Sequence, residues 1–87
     1  MIDAILSLNL SCNQSSVYRI YIDDDLITER DYSLSNTQYI NEVIPLKLER
    51  GIHAYRIENL TTNNGTFSIN NITINGNKIT SDKEFII

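Results

Sequence analysis

The sequence predicts an all-β domain, a small antiparallel β-sandwich of about seven strands with jelly-roll or Greek-key wiring. Three observations lead there. Fifteen Ile, two Val and seven Thr among 87 residues make a β-branched chain, which packs well on a pleated surface and poorly in helices. Apolar residues alternate with polar ones along most segments, and no segment holds a convincing helical period. Turn signals recur every ~8–12 residues, the spacing of short strands in a sandwich.

The elements follow in order. From Ile2 to Leu10 the even positions are Ile2, Ala4, Leu6, Leu8 and Leu10, the pattern of a half-buried strand. Ser11 to Ser16 reads as a polar loop that contains Cys12. Val17 to Asp23 sets Tyr18, Ile20 and Ile22 on one face, with Arg19 and Tyr21 on the other. Asp23-Asp24-Asp25 interrupts it, and Leu26 to Tyr32 resumes, so the two runs form a hairpin about an acidic turn.

Ser33 to Gln38 reads as a second polar loop. Tyr39 to Leu48 is the longest strand, with Ile40, Ile44, Leu46 and Leu48 in phase. Pro45 is out of phase with them and has no N–H to give to a ladder, so this strand belongs at a sheet edge or bulges there. Glu49-Arg50-Gly51 is a turn. His53 to Leu60 is a strand with Tyr55 and Ile57 inward. In the loop from Thr61 to Gly65, Asn64-Gly65 suits positive φ. Between Thr66 and Asn75, Phe67 and Ile69 have one parity, while Ile72 and Ile74 have the other. That switch predicts a bulge or bend at Asn70-Asn71. Asn75-Gly76 is a hairpin signal, and short strands at Lys78–Thr80 and Glu84–Ile87 finish a single domain spanning residues 1–87.

Composition excludes several classes of function. A chain of this length holds one thin core. Its single cysteine excludes an intrachain disulfide framework and a cysteine-based zinc cluster. A formal net charge of −4 opposes binding to a phosphate backbone, which needs a basic face, so no nucleic-acid partner is expected. No apolar run approaches the ~20 residues of a membrane helix, and Asp3 stands where a signal peptide carries a cation. The expected setting is therefore synthesis in a host cytoplasm with no membrane partner. Five Asn-x-Ser/Thr sequons, at Asn9, Asn13, Asn59, Asn64 and Asn71, read as a consequence of abundant Asn, Ser and Thr.

Few residues suggest chemistry. Arg30 is in phase with Leu26 and Tyr32, and Glu42 with Ile40 and Ile44. If those faces point to the core, the two charges must pair, which predicts a structural ion pair Arg30–Glu42. Asp23-Asp24-Asp25 has carboxylates for Ca²⁺ but lacks the spacing of a loop that wraps an ion, and a solvated turn is the better reading. His53 has no second histidine for a zinc site and no evident Ser/Asp convergence. Cys12 has no adjacent cation to make a thiolate. Three scattered Gly cannot form a phosphate loop. No cofactor, no metal and no enzymatic activity are expected.

Arg19-Ile20-Tyr21-Ile22-Asp23-Asp24-Asp25-Leu26-Ile27-Thr28-Glu29-Arg30 and Gly51-Ile52-His53-Ala54-Tyr55-Arg56-Ile57-Glu58-Asn59 resemble segments of small uncharacterised proteins encoded by tailed phages of marine bacteria and cyanobacteria. Phe67-Ser68-Ile69-Asn70-Asn71-Ile72-Thr73-Ile74-Asn75-Gly76 is similar to the closing strands of carbohydrate-binding-module-like jelly rolls. The resemblance covers half to two thirds of the chain. It implies a β-sandwich and carries no binding residue over, because that fold hosts many roles.

The functional expectation is a non-enzymatic virion protein. The form expected is a capsid decoration or cement protein, present in many copies and docked on the major coat protein. Phe85, Ile86 and Ile87 at the apolar end, with Tyr21 and Tyr39, are the candidate partner contacts. The alternatives are a carbohydrate-binding adhesion domain, which would need exposed coplanar Tyr, and an intracellular phage protein that binds a host enzyme.

Overall fold

The computed structural model describes residues 1–12, 16–32, 38–60 and 67–87, with the backbone alone at Tyr32, Gln38 and Phe67. Within them lie eight strands. These are β1 (Ile2–Cys12), β2 (Ser16–Ile22), β3 (Asp25–Tyr32), β4 (Gln38–Leu48), β5 (Ile52–Asn59), β6 (Phe67–Ile74), β7 (Asn77–Lys78) and β8 (Glu84–Ile86). They form two four-stranded antiparallel sheets, ordered β4-β1-β6-β7 and β3-β2-β5-β8. The expectation of about seven strands becomes eight, and the first of the two short closing strands is Asn77–Lys78 instead of Lys78–Thr80, because it pairs directly across the Asn75-Gly76 turn.

The strand order has a simple logic. β1 and β2 are central, one in each sheet. β4 and β3 flank them on one side, and β6 and β5 on the other. β7 and β8 close the second side. The hairpins β2–β3 and β6–β7 each stay within one sheet, and the chain changes sheet at each of the remaining connections.

Alternation builds the core. Ala4, Leu6, Leu8, Leu10 and Cys12 of β1 face Tyr18, Ile20 and Ile22 of β2, all nearly inaccessible. Ile44, Leu46, Ile74 and Phe85 complete the buried cluster. Cys12 is therefore the buried last residue of β1 rather than part of a polar loop. Ser11 likewise belongs to β1 and Ser16 opens β2, while residues 13–15, residues 33–37 and the Asn64-Gly65 turn lie outside the described residues.

Two hairpins have the expected turn chemistry. Asp23 and Asp24 (φ 51° and 67°) join Ile22 to Asp25, and Asn75 and Gly76 (φ 51° and 81°) join Ile74 to Asn77. Positive φ at both central residues is the mark of the type I′ turn, whose twist suits antiparallel strands. Asn and Asp tolerate that region better than other non-glycine residues.

Two bulges adjust the faces. In β6, Asn9 pairs with Asn71 but Leu10 pairs with Ile69, which leaves Asn70 as the extra residue. That is the predicted parity switch, and it keeps Ile69 aligned with Ile72 and Ile74. The second bulge was not foreseen. In β3, Ile20 pairs with Thr28 but Tyr21 pairs with Leu26, so Ile27 is extra. Leu26 therefore points outward, half exposed, although it has the same parity as Arg30.

Each sheet edge is guarded against pairing with another strand. β4 carries Pro45, opposite Ile5. β3 carries the Ile27 bulge. β7 and β8 have only two and three residues. These are standard devices against edge-to-edge association.

Candidate functional site

Three constellations stand out from the sandwich. The first joins the sheets internally. Glu42 of β4 is buried, and its Oε1 accepts hydrogen bonds from the Tyr18 hydroxyl of β2 and from Arg30 Nε of β3, the latter at 3.0 Å. Arg30 Nη2 reaches Oε2 at 3.4 Å. The Ile27 bulge turns Arg30 toward this carboxylate. The structure thus places Arg30 and Glu42 together, and adds Tyr18, whose apolar ring had suggested only packing. The Arg30 side chain remains 42% exposed while Glu42 is 6% exposed, so solvent reaches one partner and not the other.

The second constellation is at the opposite end of β2. His53 is nearly buried, and its ring stacks against Phe85 at a centroid distance of 5.8 Å. Its Nε2 lies 2.6 Å from the Glu49 carbonyl oxygen, and its Nδ1 lies 2.6 Å from Asp23 Oδ2. A carbonyl can only accept, and so can a carboxylate. Both ring nitrogens must therefore carry protons, which makes His53 an imidazolium. The hydrogen bond to Asp23, then that to the Glu49 carbonyl, raises its pKa above 6.5. Asp23 moves the other way, below 3.8, chiefly through the same bond to His53 and with help from the Ala54 N–H.

This dyad is structural. In a hydrolytic triad the histidine nitrogen remote from the acid must meet a nucleophile. Here that nitrogen is bound to the β4–β5 turn. The Asp23 carboxylate accepts at both oxygens, Oδ1 from Ala54 N and Oδ2 from His53. Among the described residues, no cluster of three or more His, Cys, Asp and Glu could hold a metal ion. Among the described residues, no helix is long and apolar enough to cross a membrane.

The third constellation is the pair of outer faces, which differ in chemistry. The outer face of the β3-β2-β5-β8 sheet is charged and apolar. Arg19 lies between Glu29 and Glu58 at 3.3 and 3.6 Å. The Arg56 guanidinium covers the Tyr21 ring at 4.2 Å, a cation–π contact that leaves Tyr21 half-buried. Farther along, Ile52 and Ile86 sit directly opposite one another on β5 and β8, 65% and 71% exposed. The outer face of the other sheet carries Asp3 opposite Lys47 at one end and Lys78 beside Thr73, and Tyr39 stands toward its other end, 80% exposed.

The residues expected to touch a partner divide accordingly. Ile86 and Tyr39 are exposed. Tyr21 lies under Arg56. Phe85 is only 4% exposed and belongs to the core, and Ile87 is half-buried and exchanges two backbone hydrogen bonds with Gly51. Phe85 and Ile87 are thus corrected from docking residues to structural ones, because β8 needs them to close its sheet. Ile52 was missed. The signal for it was its parity with Ala54 and Arg56, opposite to that of His53.

No protein-family model, curated protein or solved structure matches this chain.

Proposed function

We propose that this domain is a non-enzymatic protein of a phage particle, a capsid decoration or cement protein that docks on the major coat protein. The observation that carries the reading is the outward cross-strand pair Ile52–Ile86. Two large aliphatic side chains held rigidly on adjacent strands form an apolar contact that water leaves unsatisfied, and such residues serve as anchors when a partner covers them. The guarded edges favour docking through side chains rather than through an added strand. The likeness of two segments to proteins of tailed phages supports the particle as the setting. Symmetry then multiplies a small contact into a firm one, since each copy of a coat lattice offers the same seat.

Quantitative mass spectrometry of purified particles tests the setting, with the chain expected at a stoichiometry near that of the coat protein. Ile86→Glu tests the contact. That variant should fold normally, since Ile86 is exposed, and should no longer co-sediment with particles. Retained co-sedimentation, or absence of the chain from particles, would refute the reading.

A further inference from the structure

β8 is three residues long and pairs with β5 alone. Two clamps flank Ile86 on it. On one side, Phe85 stacks on the His53 ring at 5.8 Å between centroids. On the other, Ile87 exchanges backbone hydrogen bonds of 2.9 and 3.2 Å with Gly51. Both clamps lead to the β4–β5 turn. Gly51 belongs to that turn, and the Glu49 carbonyl oxygen lies 2.6 Å from His53 Nε2. The imidazolium is thus a shared fastener, with Phe85 on its face, the turn at one nitrogen and the Asp23 carboxylate at the other.

Removing one proton reverses one of these contacts. A neutral imidazole keeps a single N–H, so its other nitrogen turns a lone pair on an oxygen that can also only accept. At 2.6 Å that is repulsion in place of a hydrogen bond. The charged carboxylate of Asp23 is the stronger acceptor and retains the remaining proton. The strain then falls on the Glu49 carbonyl and on the turn that carries Gly51. The other charged groups nearby face water. These are Asp24 in the β2–β3 turn, the Glu49 and Arg50 side chains in the β4–β5 turn, and Lys83 and Glu84 beside Phe85, all exposed. Tyr55 also packs on Phe85, at 6.1 Å, and burial raises its hydroxyl above 10.0, so it stays neutral while His53 titrates. The hydrogen bond to Asp23 raises the His53 pKa above 6.5, which puts the loss of its proton on the alkaline side of that value.

We propose that His53 is a proton-operated latch: its imidazolium fastens β8 and so presents Ile86 beside Ile52, and its neutral form releases that strand while the rest of the sandwich stays folded. A short strand with one neighbour opens at lower cost than a central one. Where it rests on the docking reading, the latch makes attachment to the coat protein firm at mildly acidic pH and weak at alkaline pH.

The test is amide hydrogen exchange of the full chain by NMR between about pH 5 and about pH 9, read as protection relative to unstructured peptide, with the His53 ring titrated in the same samples. Protection of the Ile87 and Gly51 amides should fall at least about tenfold at the midpoint of the ring's titration, while the Leu6 amide of central β1 keeps its protection. Asp23→Asn keeps an acceptor but removes the charge, so it should move both midpoints together to lower pH. Ile87 protection that ignores the ring's titration overturns the latch. An equal loss at Leu6, which is global unfolding, overturns it too, as does an Asp23→Asn variant that moves the ring's titration without moving exchange. Co-sedimentation with purified particles at the two ends of the titration checks the consequence. Release on the alkaline side supports it, and equal binding at both ends overturns it. A chain that binds at neither end refutes the docking reading, and the exchange result still decides the latch.

Discussion

Replacing Glu42 with alanine probes the internal polar bridge most directly. The carboxylate serves two partners of unequal exposure. Tyr18 is fully inaccessible, so losing this acceptor removes a buried hydrogen bond, at a cost of about 1–3 kcal/mol. Arg30 is 42% exposed on its side chain and can turn to water, so its half of the pair contributes about 0–1 kcal/mol, as for other solvent-accessible pairs. Together these predict a loss of about 1–4 kcal/mol for Glu42→Ala. That is below the ~3–5 kcal/mol of a fully buried pair, because one partner is wet. It is still large for a domain of 87 residues, whose total stability should be about 4–13 kcal/mol. Urea unfolding at neutral pH, with parent and variant compared at equal slope, measures it. Glu42→Gln keeps an acceptor for the phenol and should cost clearly less. A loss under about 0.5 kcal/mol for Glu42→Ala, or equal losses for the two variants, would refute the account.

Three further predictions concern other parts of the fold. The His53–Asp23 pair gives a pH window. The raised His53 pKa contributes stability that is complete below 6.5 and lost as pH rises through the folded value, whereas the lowered Asp23 pKa contributes stability present above 3.8 and lost as pH falls through its folded value. Thermal midpoints should therefore be highest between those two values, and His53→Gln should flatten the alkaline limb; an unchanged limb would dismiss the imidazolium. Leu8 is 1% exposed, between Glu42 and Ile72 in register, so Leu8→Ala should cost about 2–5 kcal/mol, while exposed Val43→Ala should stay within about 0.5 kcal/mol, both read by urea unfolding. At Gly76, φ is 81° and a Cβ would meet nothing within 4 Å, so Gly76→Ala should cost about 1 kcal/mol through backbone strain alone, and Gly76→Asn, which tolerates that region, should cost less in the same assay.

The single histidine shows how a residue's role depends on what the fold assembles around it. In sequence, His53 shows no second histidine and no adjacent nucleophile. What could not be read was that Asp23, thirty residues earlier, and the carbonyl of Glu49 would meet its two nitrogens. The β2–β3 turn brings the first and the β4–β5 turn the second. The ring thereby ties two turns and, through Phe85, the last strand.

The sequence by itself determined the positions of the six long strands to within about two residues, which residues of β1, β2 and β4 face inward, where Asn75-Gly76 turns and where β6 bulges. All of these are local, because a strand's side chains alternate with a period of two and a turn is set by two residues' φ. Only tertiary structure decided the Ile27 bulge, which reversed Leu26 and aimed Arg30 at Glu42. It alone decided that Phe85 closes the core instead of docking. Pairing register joins residues far apart in the chain, and a shift of one position exchanges the two faces of a strand, so no local pattern encodes it.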